Sequence, residues 1–215
     1  MLHYAVDAAK VALGHNNVYV ATADEPVIRY CQSQDINVIR TSRSHINGTT
    51  RIADAARQLD YNFIINLQAD EPLIPADLLA KMVRQRRLST AEIVSCYRLH
   101  GDDAGSHAHV DSETIVKVVV SKTGQALYFS RSLIPHGATT YKTHVGLYAF
   151  TRASLQAYVE LAPSPLETFE SLEQLRALEN GWCIDMFETK WLGQSVDTPE
   201  DLIIVKQLMR ERFAS

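Results

Sequence analysis

Two short acidic segments lie far apart in the chain, at predicted junctions between strands and helices. The first covers residues 68–72, QADEP, and follows the apolar run 63–67; the second covers 196–201, VDTPED. Ligands of open α/β sheets bind beyond the carboxyl ends of the strands. Because Mg²⁺ is commonly held by one or two carboxylates together with substrate phosphates, Asp70 and Asp197 could share one cation. Asp70 could equally be a loop acid and Asp197 a turn acid.

Three further polar segments could contact a substrate. Arg131 is the last residue of the segment 128–131, YFSR, and its guanidinium could form a bidentate pair with a carboxylate. His144 and Tyr148 lie on one face of a predicted strand, where they could instead fill an edge of the core. Segment 170–176, ESLEQLR, could face a sugar or could be the solvated face of a helix.

These residues need a scaffold of alternating strands and helices. Up to residue 90, short apolar runs alternate with segments of helical periodicity, which predicts a mostly parallel sheet with helices on both sides. The run 63–67 is predicted to be a strand of that sheet, buried on both faces. Farther along, Gly124 marks a hairpin turn, and region 112–150 is predicted to be an antiparallel insertion. One helix is predicted at about 167–179, and another is predicted to start at 198–201, TPED, with Thr198 as its cap and Pro199 in its first turn.

Composition excludes several classes of function. The chain has 215 residues, of which 46% are hydrophobic and 21% charged, and this predicts one globular domain over 1–215. The formal net charge is -4 without a long basic run, so nucleic-acid binding is not expected. No apolar run is long enough to span a bilayer, so no membrane partner is expected. Three cysteines without a CxxC pair favour a reducing, cytoplasmic location.

The ordered motifs resemble those of the 3-deoxy-manno-octulosonate cytidylyltransferases, also called CMP-KDO synthetases, over nearly the whole chain. The most specific are YFSR followed by IP, the HVGLY run, SPLE followed by ESLEQLR, and VDTPEDL. The segments that carry the resemblance are YVATADEPV (19–27), HINGTTRI (45–52), INLQADEPLI (65–74), IVKVVVSKTGQALYFSRSLIP (115–135), HVGLYAF (144–150), PSPLETFESLEQLRALENG (163–181) and VDTPEDL (196–202).

The resemblance implies a fold and a reaction. The fold is α/β, of the three-layer, Rossmann-like nucleotide-diphospho-sugar transferase type, with a mostly parallel sheet and a small antiparallel insertion. In the reaction, the anomeric hydroxyl of an eight-carbon 2-keto sugar acid attacks the α-phosphorus of CTP, and pyrophosphate leaves. The resemblance further implies a homodimer and a role in lipopolysaccharide biosynthesis, with the insertion at about 112–150 on the dimer and sugar side.

The resemblance also assigns residues. Mg²⁺ would be held by Asp70 and Asp197, which are then the catalytic residues. The sugar-acid contacts would be Gln68, Arg131, His144, Tyr148, Glu173 and Gln174. The nucleotide-binding segment would contain Asn47, Gly48, Thr49 and Arg51.

The chain departs from the family pattern on the nucleotide side. The family begins with a strand and a P-A-R-x-x-S-x-R-x-P-G-K-P loop that cradles the CTP phosphates. Met1 aligns with the helix after that loop, so the first central strand is expected to be missing. Ala23, Asn47, Thr50 and Ala69 stand where the family has Asp, Ser, an acid and Gly. Two interpretations stay open: a cytidylyltransferase lacking its first residues, or a non-catalytic paralogue that binds the sugar acid or assembles with a partner.

Overall fold

The structure is a computed structural model that describes residues 1–45, 47–101, 112–191, 195–196 and 198–214. The helices are α1 Leu2–Leu13, α2 Glu25–Ser33, α3 Gly48–Ala56, α4 Ala76–Leu88, α5 Arg152–Glu160, α6 Pro165–Glu170, α7 Gln174–Glu179 and α8 Pro199–Ala214. The strands are β1 Val20–Thr22, β2 Val38–Arg40, β3 Phe63–Asn66, β4 Ile93–His100, β5 Lys117–Val120, β6 Ala126–Ser130, β7 Tyr141–Thr151 and β8 Ile184–Glu188. This composition of elements confirms the predicted α/β class.

Backbone contacts divide the chain into two compact units. The first comprises Met1–Asp60, Leu67–Lys81 and Trp191–Ser215. Its strands β1 and β2 pair in parallel, with Val20 opposite Val38, and both α2 and α3 contact β1. Helix α1 buries one stripe of small apolar side chains, as its periodicity predicted. That residues 1–215 act as one domain stays a prediction.

The second unit contains a mixed sheet. This unit comprises Tyr61–Asn66 and Met82–Lys190. The order of the strands in its sheet is β6-β5-β7-β4-β8, and β3 also pairs with β7. Strand β7 is antiparallel to β3, β4 and β5, whereas β4 and β8 are parallel. The predicted parallel pairing of the 63–67 strand is therefore wrong, since β3 runs antiparallel to β7. The predicted burial of this strand on both faces is also wrong, because three of its four residues are only half-buried. A short apolar run does not encode the direction of the neighbouring strand.

Strands β5 and β6 form the predicted antiparallel hairpin. In its turn, the amide of Ser121 donates to the carbonyl of Gln125 over 2.8 Å. Gly124 adopts a φ of 88° there, a conformation that side chains other than glycine rarely accept. Its carbonyl accepts a 2.7 Å hydrogen bond from the amide of Met186, so the turn is fastened to β8.

The predicted helix at about 167–179 is wrong in one respect, because the chain forms two helices there. Ser171 ends α6 in a left-handed conformation, with a φ of 53°, and α7 starts three residues later. Ser164 begins α6 with a reciprocal capping box to Glu167. Helical periodicity continues through Ser171, so the sequence pattern does not reveal the break, which a contact described below explains.

Helix α8 begins as its sequence predicts. The amide of Asp201 donates to the hydroxyl of Thr198 over 3.2 Å, and the carboxylate of Asp201 accepts from the amide of Thr198 over 2.9 Å. This reciprocal cap satisfies donors that the first turn leaves unpaired. Across the part of the chain that the structure describes, none of the helices is long and apolar enough to cross a bilayer.

Candidate active site

The two acidic segments meet in the first unit. After β3, the amide of Glu71 donates to the carbonyl of Gln68 over 3.4 Å, which turns the chain at Asp70. The amide of Val196 donates to the carbonyl of Asp70 over 3.0 Å. Asp197 itself lies outside the described residues. The backbone contact brings the residue before Asp197 to Asp70, and a pair of carboxylates is a donor set that fits Mg²⁺.

The predicted nucleotide-binding residues lie in the same unit, in the loop before α3 and in its first turn. The side chain of Asn47 caps the helix by accepting from the amide of Thr50 over 2.9 Å, and the hydroxyl of Thr50 donates to the carbonyl of Asn47 over 3.1 Å. Thr49 is buried, and a methyl group placed on Gly48 would meet nothing within 4 Å. Asn47 therefore acts as the N-cap of α3.

Three side-chain contacts hold this loop in place. Nη1 of Arg51 donates to the hydroxyl of Thr41 over 2.9 Å and to the carbonyl of Ser42 over 3.1 Å. The imidazole Nε2 of His45 lies 3.0 Å from the carboxylate of Asp54. The four predicted nucleotide-binding residues thus lie on one ordered turn at the start of α3.

In the second unit, His144 and Tyr148 lie side by side on β7, as their spacing predicted. Their ring centroids are 5.2 Å apart, and Phe129 packs edge-on against the imidazole at 5.0 Å. Nε2 of His144 lies 2.9 Å from the hydroxyl of Ser95 on β4. Burial lowers the pKa of His144 to about 3, so the imidazole is neutral at neutral pH.

Tyr148 also interacts electrostatically with the turn between α6 and α7, through Glu173. Burial raises the pKa of its phenol, and the negative charge of Glu173 raises it further. The hydroxyl of Tyr158 donates to the carbonyl of Glu173 over 2.7 Å, and Gln174 is buried directly beside it. The second unit therefore places His144, Tyr148, Glu173 and Gln174 in one neighbourhood.

A buried ion pair supports that turn. Nε and Nη2 of Arg176 donate to the two carboxylate oxygens of Glu167 over 2.7 and 2.6 Å. The side chains are only 4% and 14% exposed. The guanidinium also lies over the ring of Tyr158, 5.2 Å from its centroid. Because Arg176 and Gln174 are buried, the segment 170–176 is not simply a solvated helix face.

Glu170, the last residue of α6, is hydrogen-bonded to the end of β6. One carboxylate oxygen accepts from the hydroxyl of Ser130 over 2.7 Å, and the other accepts from the amide of Arg131 over 2.9 Å. Burial raises the pKa of Glu170, but these hydrogen bonds and the charge of Arg131 outweigh it, so the pKa lies below its ordinary value. The bonds to β6 fix the position of Glu170, which explains why the helix stops at Ser171.

The guanidinium of Arg131 is directed by backbone carbonyls. Nε donates to the carbonyl of Glu170 over 2.8 Å, Nη1 to that of Glu113 over 3.0 Å and Nη2 to that of Ser171 over 3.3 Å. These bonds use three of the five N–H groups of a guanidinium. Each Nη keeps one further N–H, so the predicted contact with a substrate carboxylate stays a prediction that this arrangement allows.

Comparison with known proteins identifies the family. The family model described as Cytidylyltransferase matches residues 1–190. A 3-deoxy-manno-octulosonate cytidylyltransferase of Chlorobium phaeobacteroides (strain BS1) is 43% identical over 209 residues, which are 93% of this chain and 82% of that relative. This chain belongs to the 3-deoxy-manno-octulosonate cytidylyltransferase family.

Two more distant relatives agree with this membership. The mitochondrial 3-deoxy-manno-octulosonate cytidylyltransferase of Arabidopsis thaliana is 34% identical over 226 residues, covering 100% of this chain and 76% of the relative. A solved CMP:2-keto-3-deoxy-manno-octonic acid synthetase complexed with CTP superposes with a TM-score of 0.91 at 33% identity. It covers 98% of this chain, and the chain covers 88% of it. The predicted Rossmann-like fold of the cytidylyltransferases is thereby confirmed.

Several residues that contact the predicted site residues or support them were not predicted from the sequence. Ser95 is a small polar residue in the buried first half of β4, and this was its only signal in the sequence. Tyr158 and Arg176 act through contacts with Glu173 and Glu167, which no local spacing predicts. These positions become visible only when the strands and helices of the second unit are assembled.

Proposed function

We propose that this chain transfers CMP from CTP to 3-deoxy-manno-octulosonate, or to a closely related sugar acid, and releases pyrophosphate. The observation that carries the proposal is the 43% identity to a 3-deoxy-manno-octulosonate cytidylyltransferase over 93% of the chain. The bond formed joins the anomeric oxygen of the sugar to the α-phosphorus of CTP, and the proton of the anomeric hydroxyl is released to solvent. The bond broken joins that phosphorus to the oxygen bridging to the β-phosphate, which leaves with the pyrophosphate.

No covalent intermediate on the protein is needed for this displacement. The protein contributes by aligning the anomeric oxygen with the α-phosphorus and by stabilising charge that develops on the phosphate oxygens. On the sugar side, the proposed contacts are Gln68, Arg131, His144, Tyr148, Glu173 and Gln174. On the nucleotide side, they are Asn47, Gly48, Thr49 and Arg51.

Arg131 suits the carboxylate of the sugar acid. Its guanidinium is a permanent cation, and its orientation is already fixed by three carbonyl groups, so little conformational entropy is lost when it binds an anion. His144 is neutral and suits a hydroxyl group instead. The two side chains thus divide recognition of charge from recognition of hydroxyl groups.

Asp70 and Asp197 are proposed to hold Mg²⁺. The contact between Val196 and Asp70 supports the pairing, and carboxylate oxygens are the ligands that Mg²⁺ prefers. When bound, the ion would orient the reacting oxygen and offset phosphate charge. Asp70 and Asp197 would then act by fixing the ion's position next to the α-phosphate.

We further propose a cytoplasmic homodimer that serves lipopolysaccharide biosynthesis. Among the described residues, Cys31, Cys96 and Cys183 form no disulfide, which agrees with a reducing compartment. The edge strand β6 carries Leu127, whose side chain is exposed, and an apolar edge of this kind is suited to subunit contact. Sedimentation of the purified chain tests the dimer.

Pyrophosphate release tests the activity. The chain is incubated with CTP, Mg²⁺ and 3-deoxy-manno-octulosonate, and pyrophosphate is expected only when all three are present. The non-catalytic alternative, which Ala23 favours, predicts calorimetric binding of the sugar acid without CTP binding. Absence of pyrophosphate from a folded sample that binds the sugar acid would replace the proposed activity with that alternative.

A further inference from the structure

Ser95 lies completely buried at an irregularity between β4 and β7. The register runs from Val94 opposite Ala149 to Cys96 opposite Val145, so β7 contains extra residues at this point. Such a bulge disrupts the regular ladder of backbone hydrogen bonds. The hydroxyl of Ser95 fills the gap: it lies 2.9 Å from the carbonyl of Leu147 and 3.5 Å from that of Val145.

Counting protons assigns the direction of the hydrogen bonds. A serine hydroxyl has one hydrogen and can also accept, whereas a carbonyl can only accept. The hydroxyl of Ser95 therefore donates to Leu147 and accepts from Nε2 of His144, which is 2.9 Å away. This is the only arrangement in which both 2.9 Å contacts are hydrogen bonds, and it places the imidazole proton on Nε2.

The imidazole is held in this state from two other directions. Phe129 packs edge-on against it and Tyr148 lies along its other side, so the ring cannot turn over without displacing both. Burial keeps the ring neutral, and a neutral imidazole with its proton on Nε2 has a lone pair on Nδ1.

We propose that Ser95 is a positioning residue, which fixes the Nε2–H tautomer of His144 and so makes Nδ1 the acceptor for a hydroxyl group of the sugar acid. This inference rests on the proposed function, because it specifies how the sugar side of that site recognises its substrate. It assigns His144 to a hydroxyl and leaves the carboxylate to Arg131. Ser95 touches only the protein and works through His144.

Nitrogen NMR of the imidazole tests the tautomer without requiring catalysis. In the ¹⁵N-histidine-labelled protein at neutral pH, Nε2 of His144 should give the shift of a protonated nitrogen and Nδ1 that of an unprotonated nitrogen. Added 3-deoxy-manno-octulosonate should move the Nδ1 resonance and leave Nε2 protonated. An imidazolium, the opposite tautomer, or an Nδ1 resonance unchanged by saturating sugar acid would overturn the proposal.

The variant Ser95→Ala supplies a second measurement. Loss of the acceptor should mix the two tautomers and raise KM for the sugar acid roughly 10-fold, while KM for CTP stays constant. The matched control is Thr143→Val, because the hydroxyl of Thr143 makes a similar 2.8 Å contact with the buried His100 on the same strand pair. The control should retain the His144 spectrum and both KM values.

The outcomes separate this inference from the proposed function. If wild-type protein releases no pyrophosphate but its Nδ1 resonance responds to the sugar acid, the activity fails and the inference stands. If pyrophosphate is released but Ser95→Ala leaves the tautomer and the sugar-acid KM unchanged, the inference fails and the activity stands. Should Ser95→Ala not fold, the spectrum of the wild-type protein still decides.

Discussion

The amide of Val196 donates a 3.0 Å hydrogen bond to the carbonyl of Asp70. Two segments that are remote in sequence are thereby fixed against each other by the backbone, independently of any side chain. Asp197 follows Val196 in the sequence, and Asp70 supplies the accepting carbonyl. This backbone contact supports the proposed pairing of the two aspartates around one cation, in addition to the sequence motifs.

Removing either carboxylate should abolish transfer. Asp70→Asn and Asp197→Asn should each lower kcat at least about 100-fold, because the charge stabilisation supplied by a metal ion is worth several kcal/mol. Calorimetry should show that Mg²⁺-dependent binding of CTP weakens in parallel. Asp77→Asn is the control, since this acid at the start of α4 is exposed and accepts a local hydrogen bond from the amide of Leu78. Full activity in either site variant would dismiss the shared cation.

Local signals in the sequence predicted much of the fold. The features that were not predicted depend on contacts between residues that are distant in the sequence. The Gly124 turn and the Thr198 cap depend on neighbouring residues, so their patterns predicted the hairpin and the start of α8. The direction of β3 depends on β7, and the break at Ser171 depends on how Glu170 binds β6. No window of sequence contains both partners of such a contact.

The same distinction applies to the site. His144 and Tyr148 were predicted to share a face because strand geometry repeats every two residues, and their rings do pack together. The role of Ser95 arises from an irregular register between β4 and β7. That irregularity is a property of the assembled sheet and leaves only a single small polar residue as a trace in the sequence.

Gly48→Ala tests the nucleotide-side residues. A methyl group there meets nothing within 4 Å, and alanine is the better helix former at the start of α3, so the free energy of unfolding should rise by about 0.5 kcal/mol. If the Asn47–Arg51 turn contacts CTP, the same methyl group should raise KM for CTP several-fold. Gly101→Ala, which also adds a methyl group in open space, should leave this KM unchanged. An unaltered KM in Gly48→Ala would remove the turn from the nucleotide site.

The pKa of His144 predicts how stability depends on pH. Its pKa falls from an ordinary value of 6.5 to about 3 in the folded protein, because burial disfavours the charged ring. Between these values the unfolded chain binds a proton that the folded chain does not, so the contribution is fully present above pH 6.5 and is lost as the pH falls towards 3. This one group adds up to about 1.4 kcal/mol per pH unit to the slope.

Denaturant unfolding at several pH values checks this slope. His144→Gln removes the titrating group and should flatten the loss of stability between pH 6.5 and 4. Tyr148→Phe is the matched control on the same face of β7, because burial raises the pKa of its phenol far from this range. Equal slopes for His144→Gln and the wild-type protein would show that the imidazole is not buried in its neutral form.

The ion pair between Arg176 and Glu167 should be one of the most sensitive points of the second unit. Arg176→Met leaves the carboxylate of Glu167 buried without its cation, and loss of one partner of a buried pair costs about 3–5 kcal/mol. Arg176→Lys keeps the charge but loses the bidentate geometry, so its free energy of unfolding should lie between those of the wild-type protein and Arg176→Met. Chemical denaturation measures the free energy of unfolding for each variant.

An exposed pair provides the comparison. Arg40 and Glu25 make a 2.7 Å contact in which the side chains are 63% and 43% exposed, so Arg40→Met should leave the free energy of unfolding almost unchanged.

Because Arg176 also packs over Tyr158, which holds the carbonyl of Glu173, Arg176→Lys should raise KM for the sugar acid while KM for CTP stays constant. Equal losses of stability in Arg176→Met and Arg40→Met would mean that burial does not strengthen the first pair. A normal sugar-acid KM in Arg176→Lys would mean that the pair stabilises the turn without positioning Glu173.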